Sequence, residues 1–190
     1  MGGLNAARLY WELEQLGHAK VAILNGGLVT WILEGRQVTN SAPKARTPTT
    51  YSAAKTGRPL QAGLADVAPA SRVKEVILLD VRTADEYKGD RKFPRTGHIP
   101  GAQWWVWDQA VNFQAGFVLQ DAASLRASLA KLGIKDTKQA IITYCRSGHR
   151  ASQSYYTLKQ LGFENVKIYT GSMLEYGQEK QLPLTLGATP

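Results

Sequence analysis

The sequence predicts an α/β domain, a parallel sheet flanked by helices, preceded by a helix, strand and helix that repeat its last part. Two observations carry this. Apolar runs at 76–80, 140–144 and 166–169 alternate with stretches of helical periodicity, the order expected when a parallel sheet is buried on both faces. The text of the C-terminal part also returns near the N terminus without a gap, and such self-similarity bears on architecture before any single element does.

The first element is a helix over 6–16, with Leu9, Leu13 and Leu16 at helical spacing and a stop at Gly17. Residues 21–24 read as a short buried strand. Asn25-Gly26-Gly27 is a turn signal, and 28–33 add a turn or two of helix before Gly35. An offset of 145 residues then sets Ala6 on Ala151, Tyr10 on Tyr155, Leu13 on Leu158, Gln15 on Gln160, Leu16 on Leu161 and Gly17 on Gly162. It continues with Val21 on Val166, Ile23 on Ile168 and Gly26 on Gly171. The matches fall on helix face, helix stop, strand and turn alike, which a duplicated unit explains and chance does not.

Residues 1–38 are therefore expected to be the end of a first domain, 39–73 a linker, and 74–190 a complete second domain. Pro43, Pro48, Pro59 and Pro69 discourage regular structure in the linker. The second domain should run through strand 76–80, short helix 84–87 and the loop Gly97-His98-Ile99-Pro100-Gly101-Ala102. A helix follows from an Asp121 cap through Leu125, Leu129 and Leu132 to Gly133. Strand 140–144, a turn opening at Cys145, a helix to Leu161, strand 166–169 and a last helix near 173–176 complete it.

The formal charge of +8 favours anionic partners. Its carriers, such as Lys44, Arg46, Lys55, Arg58, Lys88, Arg91, Lys92 and Arg95, are scattered. They lack the register of basic and aromatic residues that single-strand binders use, so no nucleic-acid partner is expected. No apolar run reaches membrane-spanning length. The start, Met1-Gly2-Gly3-Leu4-Asn5, lacks the order of a secretory signal, leaving cytoplasm or periplasm open. One cysteine excludes an internal disulfide, and with His18, His98 and His149 apart, no cysteine-rich zinc site and no cofactor are expected.

Cys145 is then either a small buried hydrophobe, as free cysteines often are, or a reactive thiol. It follows an apolar strand and precedes a helix, so it stands at the carboxyl end of a parallel strand, where open α/β sheets bind ligands. Gly148 permits a tight turn, and the helix that follows directs unpaired N–H groups and its positive end at the cysteine. With Arg146 and Arg150 nearby, these groups favour a thiolate and a bound anion. His149 either contacts substrate or faces solvent. Four residues separate Cys145 from Arg150, one fewer than in the cysteine, five residues and arginine of Cys-dependent phosphatases. The tighter cradle suits a single added sulfur atom better than a phosphoryl group.

Several segments together resemble the rhodanese family. They are Asp80-x-Arg82, Glu86-Tyr87, Gly97 to Ala102, the run Tyr144-Cys145-Arg146-Ser147-Gly148-His149-Arg150-Ala151, and Gly171-Ser172 followed by Leu182-Pro183. The match covers about residues 74–185, and residues 3–38 look like the end of another rhodanese domain. The combination is similar to tandem-domain thiosulfate or 3-mercaptopyruvate sulfurtransferases, whose C-terminal copy carries the cysteine. The resemblance implies a rhodanese-like sheet and a double displacement with Cys145 as the sulfur-accepting nucleophile. Arg146, Ser147, Gly148, His149 and Arg150 would bind substrate, with Arg82 a further anchor unless it pairs with Asp80 or Glu86. The partners implied are a small anionic sulfur donor and a thiol or cyanide acceptor. Mercaptopyruvate enzymes carry Gly-Ser-Gly-Val-Thr after the cysteine, and the arginines found here favour thiosulfate or another anionic sulfane donor.

Two other readings stay open, a sulfur carrier or relay and a non-catalytic binding module. Trp104, Trp105 and Trp107 read as core or interface packing or as an aromatic rim to the site. The apolar face of the N-terminal unit needs cover, from the second domain, from a complementary N-terminal fragment or from another copy of the chain.

Overall fold

A computed structural model describes residues 3–18, 20–52, 59–69, 75–89 and 95–190. Lys55, Arg58, Arg91, Lys92 and the expected domain start at 74 lie outside the described residues. Two helices come first, α1 (Leu4–Gln15) and α2 (Gly27–Leu33). Next are β1 (Gln61–Ala62), α3 (Leu64–Val67), β2 (Ile77–Asp80), α4 (Ala84–Lys88) and β3 (Gln103–Trp104). A single turn of tight helix (Trp107–Ala110) leads to a small hairpin, β4 (Val111–Asn112) and β5 (Val118–Leu119). Then α5 (Ala122–Ala130), β6 (Ile141–Tyr144), α6 (His149–Gln160), β7 (Val166–Tyr169) and α7 (Ser172–Tyr176) complete the order.

The main sheet has the order β1-β7-β6-β2-β3, and every neighbouring pair is parallel. Strand β6 is central and buried throughout. Alternate strand residues feed two cores. Leu79, Ile141, Val166 and Ile168 pack with α5, α6 and Trp11 on one face. Leu78, Ile142, Tyr144 and Tyr169 pack with Val67, Ile99 and Tyr176 on the other. The expected sheet, covered on both faces, is what forms. Asp121 caps α5 as its position predicts, its Oδ1 accepting from Ser124 N at 2.9 Å.

Two expectations are corrected. Residues 21–24 form no strand: none of the described strands pairs with them, and the nearby β5 makes only a side-chain contact, Leu119 N donating to Asn25 Oδ1 at 2.8 Å. Within the stretch expected to be a linker, residues 61–67 do form regular structure: β1 pairs in parallel with β7, Gln61 opposite Ile168. The edge of β7 presents unpaired backbone groups that a passing segment satisfies, and two residues are too few to show periodicity.

The 145-residue offset survives as geometry, since shifting Leu4–Gln15 by it gives His149–Gln160, the bounds of α6. The two helices pack on each other. Tyr10 meets Tyr156 edge to face at 5.0 Å, and the Tyr155 hydroxyl donates to Glu14 Oε2 at 2.9 Å. Ala7 and Trp11 are buried there, and Trp11 Nε1 donates to the Leu60 carbonyl at 3.3 Å. Helix α6 thus covers α1, while Leu28, Val29, Ile32 and Leu33 of α2 stay exposed.

If α1 belongs to the cooperative unit, Trp11→Ala destabilises the protein by about 3–5 kcal/mol, the range for truncating a buried Trp. Urea denaturation followed by circular dichroism measures this, and a loss below ~1 kcal/mol would separate α1 from the domain.

Candidate functional site

Strand β6 delivers Cys145 to the middle of the sheet's carboxyl end, between the segment that follows β2 and the segment that follows β7. Two backbone hydrogen bonds from α7 anchor the turn: Met173 N donates to Cys145 O at 3.1 Å and Leu174 N to Arg146 O at 3.0 Å. Cys145 N donates to Ser172 Oγ at 3.1 Å, and that hydroxyl donates to Tyr169 O at 2.8 Å. The turn closes at Gly148, the N-cap of α6, whose φ of 87° disfavours a side chain. Among the described residues, none of the backbone N–H groups of 146–151 donates to a protein acceptor. They belong to the unpaired N–H groups that a helix start leaves open.

Arg150 stands at this turn. Its Nη1 and Nη2 donate to Glu86 Oε2 and Oε1 at 2.6 and 2.8 Å. Its pKa is raised, first by that hydrogen bond, then, against the effect of burial, by the charge of Glu86 and by Cys145. Glu86 also accepts from Thr83 N at 3.1 Å and Thr83 Oγ1 at 3.0 Å, in a capping box at the start of α4. Burial pushes the Glu86 carboxyl up, but the bonds from Arg150 and Thr83 outweigh it and bring its pKa from 4.5 down to about 2.

The other expected residues divide. Arg146, Ser147 and His149 are exposed, whereas Gly148 is buried. Arg82 is buried and engaged by Asp80, with Nη2 to Oδ2 at 2.6 Å and Nε to Oδ1 at 3.0 Å, and by the Gly97 carbonyl at 2.8 Å. It takes the pairing role left open for it and also lines a cleft beside the turn. Trp105 is in the core, donating to Ser128 Oγ at 3.0 Å. Trp104 is 36% exposed and donates to the Arg82 carbonyl at 2.9 Å.

A cleft of about 650 Å³ opens beside the turn, lined by Thr83, Glu86, Arg146, Met173 and Leu174 among others. Cys145, only 1% exposed, is not among the residues that line it. A more apolar hollow of about 470 Å³ sits at the opposite ends of β6 and β7, against Leu60, Ile142 and Val166, away from Cys145. Among the described residues no group of three or more His, Cys, Asp and Glu side chains is placed to hold a metal ion. No described helix is long and apolar enough to cross a membrane.

Sequence reasoning did not assign Ser172 or Glu86 to the site. Glu86 had a readable signal, the Thr83-x-x-Glu86 capping pattern. Ser172 had none of this kind: it holds a positive φ of 52° where the 145-residue offset places Gly27 at 60°, a likeness that only the structure shows.

A sequence model of the Rhodanese-like domain matches residues 64–179. The chain is 37% identical over 200 residues to a Mycobacterium bovis protein named "Putative thiosulfate sulfurtransferase 1", covering 98% of this chain and 70% of that one. A Thermus thermophilus protein named "Sulfur carrier protein TtuD" is 36% identical over 195 residues, 96% of this chain and 67% of its own. An Azotobacter vinelandii protein named "Thiosulfate sulfurtransferase" is 31% identical over 194 residues, with 97% and 67% covered. Among solved structures, wild-type EanB shares the fold with a TM-score of 0.83 at 22% identity. The alignment takes in 97% of this chain but 45% of EanB, less than half its length.

The depressed Glu86 pKa sets a direction for stability with pH. A carboxylate held below its unfolded value contributes fully above about 4.5, and the contribution fades as pH falls toward about 2. The gap in denaturation midpoint between wild type and Glu86→Gln should be open at neutral pH and close as pH falls through that window. An equal gap at both ends would show that the ion pair does not carry it.

Proposed function

The chain belongs to the rhodanese family, and on that premise we propose that it is a sulfurtransferase, moving a sulfane sulfur from thiosulfate to cyanide or a thiol through a persulfide on Cys145. The Cys145 thiolate attacks the outer sulfur of thiosulfate; the sulfur–sulfur bond of the donor breaks and sulfite leaves with its electron pair. The acceptor then attacks the outer sulfur of the persulfide. With cyanide this gives thiocyanate and returns the thiolate, so no outside oxidant or reductant is required. The single observation that carries the reading is the turn itself, a cysteine at the head of backbone N–H groups that no described acceptor uses. Such groups stabilise an anion that forms during reaction. Arg146 and Arg150 are the proposed anchors for the donor, while Ser147, Gly148 and His149 contribute the turn's backbone.

A relay is the second reading, favoured by the relative named as a sulfur carrier and by the burial of Cys145, which suits delivery to a docking partner. In both readings residues 1–38 are the end of a first rhodanese-like domain, which the shared bounds of α1 and α6 support. The exposed apolar side of α2 then calls for a complementary fragment or a second copy of the chain.

Intact-mass measurement tests the reaction. Thiosulfate should add the mass of one sulfur atom, cyanide should remove it as thiocyanate, and Cys145→Ser should carry no adduct. Loading that cyanide cannot discharge but a protein thiol can would favour the relay. No adduct on the wild type would leave a binding module.

A further inference from the structure

The residue at the cysteine turn that the proposed chemistry does not use comes from the other end of the chain. A side chain at Gly148 would run into Arg8 Nη1 at 2.9 Å, with Thr170 behind it at 3.4 Å. Arg8 lies on α1, outside the residues 64–179 that match the family. Its guanidinium is fixed. Nε and Nη2 both donate to Glu12 Oε1, at 2.9 and 2.6 Å, and its carbon stands 4.6 Å from the centroid of the Trp11 ring. Trp11 is itself locked in the core. The one nitrogen that Glu12 leaves free, Nη1, is the one set against Gly148.

This placement is unfavourable for a purely structural cation. Gly148 caps the N-terminus of α6, the positive end of that helix, and the first turn of α6 holds no acidic residue. Glu12 offsets part of the Arg8 charge and Glu86 offsets Arg150, while Arg146 adds another positive charge. Positive groups from separate elements thus stand around the start of α6, an arrangement that gains energy when an anion enters the turn.

We infer that Arg8 is a positioning residue of the cysteine turn: it walls the backbone at Gly148 and fixes a charge from the N-terminal segment that favours an anionic sulfur donor. The inference takes its substrate class from the proposed sulfur transfer. Its geometry is independent of it.

The test compares two alkylating agents of similar size, anionic iodoacetate and neutral iodoacetamide, on Cys145 in the full chain. Their rate ratio reads local charge and is insensitive to a general change in access. Arg8→Met keeps the aliphatic stem over Trp11 and should lower the iodoacetate-to-iodoacetamide ratio about two- to fivefold, the effect of one partly screened charge several ångströms away. Arg8→Lys should hold the wild-type ratio, and added salt should shrink the difference. In parallel, the KM for thiosulfate should rise in Arg8→Met with little change in kcat. Should Arg8→Met fail to fold, Arg8→Gln is read the same way. A folded neutral variant with the wild-type ratio and KM, or an equal fall in the neutral and lysine variants, would overturn the inference. If wild type takes up no sulfur from thiosulfate while the ratio still falls in Arg8→Met, the proposed donor fails and Arg8 keeps its role.

Discussion

Two hydrogen bonds, from Met173 N to Cys145 O and from Leu174 N to Arg146 O, set the direction of everything that follows at the site. A trans peptide points its carbonyl and its N–H to opposite sides. Tying the carbonyls of Cys145 and Arg146 to α7 therefore turns the N–H groups of Arg146 and Ser147 the other way. Gly148 then takes the positive φ that lets the chain enter α6 within four residues of the cysteine. Because β6 is the central strand and α6 is buried along most of its length, the turn cannot relax without disturbing both cores. Ser172 completes the clamp by accepting from Cys145 N.

Charge is distributed around this turn in a way that a stability argument alone does not explain. Cations at a helix N-terminus oppose the helix dipole, yet Arg146 and Arg150 flank the start of α6 and Arg8 abuts it. Glu86 partly neutralises Arg150 while also capping α4, so one carboxylate links the segment after β2 to the turn after β6. Arg82 is different. Its charge is matched within the fold by Asp80, although it too lines the cleft.

Most of the parallel-sheet region was legible in the sequence because its signals are local. The strands at β2, β6 and β7 announce themselves as apolar runs, and α5 by its aspartate cap. The misses are the elements whose existence depends on a neighbour. Strand β1 forms because β7 offers an edge, and residues 21–24 remain single because no described strand pairs with them, although their text repeats that of β7. At the site, Cys145 and Arg150 could be read from spacing within one loop. Glu86, Ser172 and Arg8 are brought there from 59, 27 and 137 residues away, and no periodicity reports such distances. Arg82 illustrates the converse: its motif is visible in the sequence, but its pairing with Asp80 emerges only from packing.

The most direct measurement is a crystal structure of the protein after treatment with thiosulfate. The account predicts a single additional sulfur on Cys145 Sγ, lying inside the turn within hydrogen-bonding distance of the N–H groups of residues 146–151. An unmodified Cys145, or an added sulfur turned out of the loop and away from those groups, would contradict it.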